Sequence, residues 1–394
     1  MKTYLVGGAV RDALLGLPVT DRDWVVVGAT PDDLVRQGFV PVGRDFPVFL
    51  HPRTHEEYAL ARTERKSGPG YRGFTIHAAP DVSLQDDLAR RDLTINSIAV
   101  DQELIRVDGL FLLQESSLID PWGGYRDIRL GVLRHVTPAF REDPVRILRV
   151  GRLAARFGHF HVAPETMALM REMVASGEAD HLVPERVWQE LSRGLMAAQP
   201  SRMLQVLQAC GALEKLLPEL QPQPGQLPDR LPELMATLDR AAGRDTALAV
   251  RFACLATFCS DAALQALCQR LRVPSECQEL AQVVVREQAA IRQAEALDAA
   301  GLLGLLERCD AFRKPQRLTL ILQACEIVAV NHPVTATGLP QDSSLRWALT
   351  RATSVDTGAV ARQANADGLS GASVGERIRA ARIEALRKTF DGML

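Results

Sequence analysis

The spacing of apolar positions changes once along the chain. Up to about residue 115 the apolar runs are short and stop at glycine, proline or charged turns; from about Pro164 onward apolar residues recur at three- and four-residue steps. The first pattern predicts strands and turns, the second amphipathic and buried helices. Tyr4–Val6 and Trp24–Val27 are the first strands expected, followed by Phe46–Leu50 and Tyr58–Ala61. Between the first two, Gly7-Gly8 breaks the run, a short helical stretch follows, Gly16 suits its end and Pro18 turns the chain. The later part predicts helices over Thr166–Val174, Pro184–Met196, Ser201–Cys210, Ala247–Phe258 and Ala262–Leu271, with a proline-rich linker over Leu217–Pro232. The fold class is α+β: a small mixed β-sheet with helices, then an all-helical remainder.

Composition narrows this only a little. The 394 residues leave room for two or more packed units. Hydrophobic residues make up 47% and charged residues 24%, which excludes a disordered or fibrous chain. A net charge of −2 gives no global sign of nucleic-acid binding, so any RNA contact needs a local basic surface. The seven cysteines all lie at or after Cys210, are odd in number and contain no Cys-x-x-Cys pair. They read as reduced, mostly buried thiols of a cytoplasmic protein. No signal peptide is expected, and no apolar run is long enough for a membrane span.

Candidate chemistry sits in four stretches. Gly7-Gly8 ends a strand before a helix, where backbone can approach an anion and a helix N-terminus attracts phosphate. Eight residues after Arg11-Asp12 comes Asp21-Arg22-Asp23, at the start of a strand. Alternation along a strand points both carboxylates the same way, which suits a hard cation; alone, such a pair is also a common solvated turn. Glu57 is a further candidate acid, set against a plain polar hairpin surface. Arg62–Gly73 combines four basic residues with Gly, Pro and Ser, the composition of a mobile, positively charged loop. Arg90-Arg91-Asp92, followed by Thr94 and Asn96, offers guanidinium forks for phosphate oxygens and a carboxylate acceptor for a ribose hydroxyl. Glu142-Asp143-Pro-Val-Arg146 opens a helix, with Asp143 as N-cap and Pro144 at the first helical position. Arg146 follows Asp143 by three residues, on the same helical face, and Arg149, Arg152 and Arg156 extend a basic stripe.

Together these motifs resemble the nucleotidyltransferase superfamily in the form used by class II tRNA nucleotidyltransferases (CCA-adding enzymes) and bacterial poly(A) polymerases. The resemblance is strong to about residue 195 and weaker beyond. It implies a nucleotidyltransferase head over residues 1–135, a helical neck for nucleobase and RNA recognition over 136–215, and a helical body and tail over 216–394. It implies template-independent addition of CCA to tRNA 3′ ends from CTP and ATP, with Mg²⁺ held by Asp21 and Asp23 in a two-metal phosphoryl transfer. Gly8 and Arg11 would hold phosphate, while Arg91, Asp92, Asp143, Arg146 and Arg149 would complete the nucleotide pocket. A carboxylate beside a guanidinium matches the amino donor and ring-nitrogen acceptor of both cytosine and adenine, and repels uracil and guanine. Residues 62–73 would be the flexible loop needed for the final A, 119–134 the hinge, and 184–191 the neck helix; 111–117 is a small insertion without an assigned use. Partners would be tRNA, ATP and CTP, and no membrane. A poly(A) polymerase or a partial CC- or A-adding enzyme shares the head. A non-catalytic RNA-binding protein would not need the intact acidic and basic motifs.

One departure stands out. Two-domain relatives carry a metal phosphohydrolase with a His-Asp dyad, but Thr257 and Phe258 stand at those positions here, and no histidine occurs between His181 and His332. The body therefore reads as a helical platform, with Arg377, Arg379 and Arg382 of the tail either touching tRNA or simply solvated.

Overall fold

The computed structural model describes residues 1–42, 48–66, 74–101, 105–107, 110–220, 230–329 and 340–390. The chain divides into two compact units, Met1–Pro218 and Glu219–Leu394.

The first unit starts with β1 (Lys2–Val6), α1 (Gly8–Leu14) and β2 (Asp23–Val27). Leu5, Val6, Val25 and Val26 are buried, so this antiparallel pair is core, and Leu5 stands opposite Trp24. Next come α2 (Pro31–Arg36), β3 (Val40–Val42), β4 (Val48–Leu50) and β5 (Glu57–Leu60). Thr30 and Asp33 form a capping box that starts α2. Then follow β6 (Thr63–Lys66), β7 (Phe74–His77), α3 (Leu84–Ala89), β8 (Ala99–Val100), β9 (Ile105–Val107), β10 (Leu110–Leu112) and β11 (Leu118–Ile119). Among the described residues the main sheet has the order β11-β8-β1-β2-β5-β4-β3. The β2–β5 pair is parallel and its other pairs are antiparallel, so the sheet is mixed.

Three expectations shift here. The strand containing Asp23 begins at that residue, so Asp21 lies just before it rather than within it. The basic segment expected to be all loop begins as strand: Thr63–Lys66 pairs with Phe74–His77, and 67–73 lie outside the described residues. The 111–117 insertion holds the end of β10, which pairs antiparallel with β9, and a short 3-10 turn over Glu115–Ser117. Phe46 and Pro47 lie outside the described residues.

A connector follows: α4 (Gly124–Leu130) and β12 (Val132–Leu133). The carboxylate of Asp120 accepts from the N–H groups of Gly124 and Tyr125, both at 2.8 Å, and so starts α4. Gly124 has no room for a side chain, because a Cβ there would sit 2.1 Å from the Thr94 carbonyl oxygen. The unit ends with α5 (Val145–Arg156), β13 (His161–Val162), α6 (Pro164–Ala175), α7 (Pro184–Leu195), α8 (Pro200–Ala209) and α9 (Ala212–Leu216). α5 buries Ile147, Leu148, Val150 and Leu153 and packs on α7 and α8.

The second unit is helical in its described part, from Leu231–Gly243 to Ala372–Phe390. Its centre holds Phe252, Leu255, Leu303 and Ile321, all fully buried. The Thr257 hydroxyl donates to the Cys254 carbonyl at 2.8 Å, an ordinary helix-end bond. All seven cysteines of the chain are free and buried. Within this unit, Arg379 pairs with Glu307 at 3.2 Å and Arg382 lies over the Phe312 ring at 4.1 Å, which ties the last helix down. Those two arginines are therefore engaged in packing the tail rather than simply solvated.

Candidate active site

A cleft of about 620 Å³ opens in the first unit beside β1, β2 and α5. Gly8, Arg11, Asp21, Asp23, Arg91, Asp92, Asp143, Arg146 and Arg149 all line it, so the residues singled out from the sequence come together. Nine arginines against six carboxylates line its wall, a balance that favours a polyanion.

Gly7 makes the turn from β1 into α1 with φ 72° and ψ −129°, a conformation open only to glycine. A Cβ there would also lie 2.9 Å from Arg91 Nη1, so this backbone packs directly on a guanidinium. Arg11 is buried; its Nη1 donates to Asn96 Oδ1 at 2.5 Å and its Nε to Asp12 Oδ1 at 2.9 Å. Burial lowers the Arg11 pKa, against the raising pull of Asp12. Asn96 then donates to Asp92 Oδ1 at 3.0 Å, which ties α1 to the Arg91-Asp92 segment.

Asp87, absent from the expected site, organises that segment. It is 0% exposed. Arg90 reaches its Oδ1 at 2.6 Å and Arg91 its Oδ2 at 3.1 Å. Burial would raise the Asp87 carboxyl, but Arg90 and Arg91 hold it below the ordinary carboxylate range. Asp87 is thus the brace that aims two guanidinium groups. Its signal was present: it lies in the last turn of α3, three residues before the cap residue Arg90 and four before Arg91.

Asp92 is more heavily used than a free acceptor for a ribose hydroxyl. Leu93 N–H and Asn96 occupy Oδ1 and Arg149 Nε donates to Oδ2 at 2.6 Å. Burial opposes ionisation, yet Arg149 and these bonds keep the carboxyl well below its usual range. A carboxylate has about four acceptor positions, so one remains on Oδ2. The Thr94 hydroxyl is committed elsewhere, to Asp127 at 2.7 Å.

Three arginines of the basic stripe on α5 are paired with carboxylates. Arg149 pairs with Asp92, Arg152 with Glu190 at 2.5 Å and Arg156 with Asp12 at 2.9 Å. These contacts tie α5 to Asp92, to α1 and to α7, because these three arginines each meet a carboxylate from another element.

The Asp143–Arg146 pair expected from the spacing does not form. α5 starts at Val145 with Pro144 as its cap residue, so Asp143 stands outside the helical frame on which the i, i+3 argument rests. Asp143 Oδ1 still accepts from Val145 N–H at 3.1 Å, keeping a capping role. Its charge partner is Arg186 on α7, with Nη1 at 3.1 Å from Oδ1 and Nη2 at 2.8 Å from Oδ2. Arg146, 8% exposed, donates instead to the carbonyls of Ala139 at 2.9 Å and Arg90 at 2.6 Å. Arg186 lines the same cleft and was missed, having been read only as part of the neck helix.

The acidic pair faces this basic bank. Asp23 is solvent-exposed, yet the protein around the cleft pushes its carboxyl up; Arg91 opposes this and Asp21 adds to it. Two neighbouring carboxylates offer hard oxygen donors of the kind a divalent cation takes. Glu57 stands beside Asp23 in the β2–β5 register and also lines the cleft. Among the described residues no group of three or more Asp, Glu, His or Cys side chains is arranged to hold a metal ion.

Braced arginines facing an acidic pair across one cleft equip a phosphoryl- or nucleotidyl-transfer site. Residues 3–134 match the family described as "Poly A polymerase head domain", and residues 159–223 that described as "Probable RNA and SrmB- binding site of polymerase A". The chain is 55% identical to the multifunctional CCA protein of Variovorax paradoxus (strain S110) over 98% of this chain and 99% of that one. It is 56% identical to the multifunctional CCA protein of Acidovorax ebreus (strain TPSY), over 98% and 96%. The fold is also that of the solved Bacillus stearothermophilus CCA-adding enzyme in complex with CTP, with TM-score 0.68, 24% identity and coverage of 98% of this chain and 89% of that one. The chain belongs to the bacterial CCA-adding enzymes, the class II tRNA nucleotidyltransferases. Nucleotidyltransferases of this superfamily generally use divalent metals. Among the described residues no helix is long and apolar enough to cross a membrane.

Proposed function

We propose that this chain adds CCA to the 3′ end of tRNA from CTP and ATP in this one cleft, without a nucleic-acid template and with release of pyrophosphate. The observation that carries the reading is the acidic pair Asp21/Asp23 opposite arginines braced by Asp87, Asp92 and Asn96.

Gly8, Arg11 and Arg91 hold the triphosphate. Arg91 can do so because Asp87 takes its Nε and Nη2, while Nη1 lies against Gly7 at the cleft wall. Arg149 orients Asp92, whose remaining acceptor position receives a ribose hydroxyl. Asp143 and Arg146 face the base edge, the carboxylate accepting from the amino group of C or A. Asp21 and Asp23 hold Mg²⁺, the divalent ion best suited to two carboxylates plus phosphate oxygens. When bound there, the ion lowers the pKa of the tRNA 3′-hydroxyl and offsets charge on the transferring phosphoryl group. The tRNA lies on the helices that follow α5 in the first unit, α6 to α9, and the protein works in the cytoplasm, in keeping with seven free thiols.

The test is incubation of the pure protein with tRNA lacking its CCA end and each labelled nucleotide. Incorporation of two C residues and one A, stopping there, is expected. Long A tails, or addition of only C or only A, would refute the reading.

A further inference from the structure

Asp143 is held by a residue outside its own motif. It follows a 3-10 turn (Pro138–Glu142) and precedes α5, so backbone geometry alone leaves its side chain to swing. Arg186 removes that freedom with two parallel N–H···O bonds at 3.1 and 2.8 Å, which fix the plane of the carboxylate. Oδ1 then carries Val145 N–H and Arg186 Nη1, and Oδ2 carries Arg186 Nη2. Of about four acceptor positions, the remaining one is on Oδ2, and Asp143 lines the cleft. One turn further along α7, Glu190 pairs with Arg152 of α5 at 2.5 Å. Two ion pairs of opposite polarity thus fix how α7 is rotated against α5, and with it the direction of the Arg186 fork.

Given the reading of the cleft above, on which this step rests, we propose that Arg186 is a specificity-determining positioning residue: by clamping Asp143 it aims one carboxylate acceptor at the nucleobase. A single aimed acceptor takes an N–H of the exocyclic amino group of cytosine or adenine. It repels the carbonyl that uracil or guanine offers at the same place. A lysine at 186 would keep the charge but contact only one oxygen, so the carboxylate plane would turn.

The experiment is single-turnover incorporation of all four NTPs on tRNA lacking CCA, by wild type, Arg186→Lys, Asp143→Asn and the double variant, each with its thermal midpoint. Arg186→Lys is expected to reduce the preference for CTP and ATP over UTP and GTP by about tenfold, the loss of one charge-assisted hydrogen bond. The double variant is expected to discriminate no worse than Asp143→Asn alone, since Arg186 acts through Asp143. Unchanged ratios in Arg186→Lys, with altered ratios in Asp143→Asn, would overturn the role of Arg186 and leave base reading by Asp143 standing. Unchanged ratios in Asp143→Asn would overturn both. Additive losses in the double variant would also overturn the proposal, because Arg186 would then act independently. If the lysine variant fails to fold, Arg186→Gln takes its place in the same cycle, with the same outcomes deciding.

Discussion

Replacing Asp87 by asparagine tests whether the phosphate-facing arginines depend on a buried brace. The carboxylate is 0% exposed and receives Nε and Nη2 of both Arg90 and Arg91, with distances from 2.6 to 3.3 Å. Asparagine keeps the shape, but its amide can accept from only one fork and turns an N–H₂ toward the other. Breaking a buried ion pair on one side costs about 3–5 kcal/mol. The two arginine side chains are 15% and 18% exposed and recover some hydration, so the lower end, about 3 kcal/mol, is expected. For a unit of this size that is a drop of about 6–12 °C in its thermal midpoint. Freed from the brace, Arg91 should raise KM for CTP and ATP together and leave their ratio alone, since the bonds of the Asp87 carboxylate go to Arg90, Arg91 and the Arg62 N–H. The pH dependence has a definite sign. Arg90 and Arg91 depress the folded Asp87 pKa despite burial, so its stabilisation is complete above the unfolded value and disappears as pH falls through the folded one. The gap between wild type and Asp87→Asn should therefore be full at pH 7 and close below about pH 4. Thermal unfolding at several pH values, with steady-state kinetics at pH 7, measures all of this. A variant that melts within about 2 °C of wild type at pH 7, with unchanged KM, would refute the brace.

Asp21→Ala and Asp23→Ala are each expected to abolish addition of both C and A while tRNA binding stays nearly intact; near-normal turnover with Mg²⁺ in either variant would sink the assignment. Because Asp23 is pushed up, divalent-ion affinity measured by calorimetry should begin to fall with acid at a pH above the ordinary carboxylate range, and this early fall should vanish in Asp23→Ala. Arg146→Ala should lower incorporation of C and A by about one to two orders of magnitude, and also destabilise the first unit, since the carbonyls of Ala139 and Arg90 lose their donor; a variant impaired in neither rate nor thermal midpoint argues against both roles. No metal-dependent phosphatase or phosphodiesterase activity is expected from the second unit, where Thr257 and Phe258 stand in place of a His-Asp dyad; co-purifying hydrolysis abolished by a mutation in residues 240–270 would show otherwise.

Much of this protein was legible from local pattern, and the exceptions share one cause. Gly7-Gly8, Asp21/Asp23, Arg90-Arg91-Asp92 and Asp143/Arg146 each lie within a few residues, so spacing alone placed them on a turn, a strand start or a helix end. The mixed sheet and later helices followed from the change in apolar period, with boundaries off by one or two residues, as for Asp261–Leu271 against an expected start at Ala262. What could not be read was which charge answers which. Arg149 finds Asp92 across 57 residues, Arg156 finds Asp12 across 144, and Arg186 finds Asp143 across 43. A row of arginines at helical spacing looks the same in sequence whether it waits for phosphate or already holds carboxylates. The case of Asp143 shows how a one-residue boundary error becomes a chemical one. Extending α5 back to Asp143 sets its side chain beside Arg146 by the i, i+3 rule; starting the helix at Val145 frees it to turn toward α7. The Pro184–Leu195 helix did carry a clue, because Arg186 and Glu190 present opposite charges one turn apart, while Asp143 and Arg152 present the reverse order on and just before α5. Reading two helices against each other for complementary charge order, rather than each for its own periodicity, is the step that would have found the clamp.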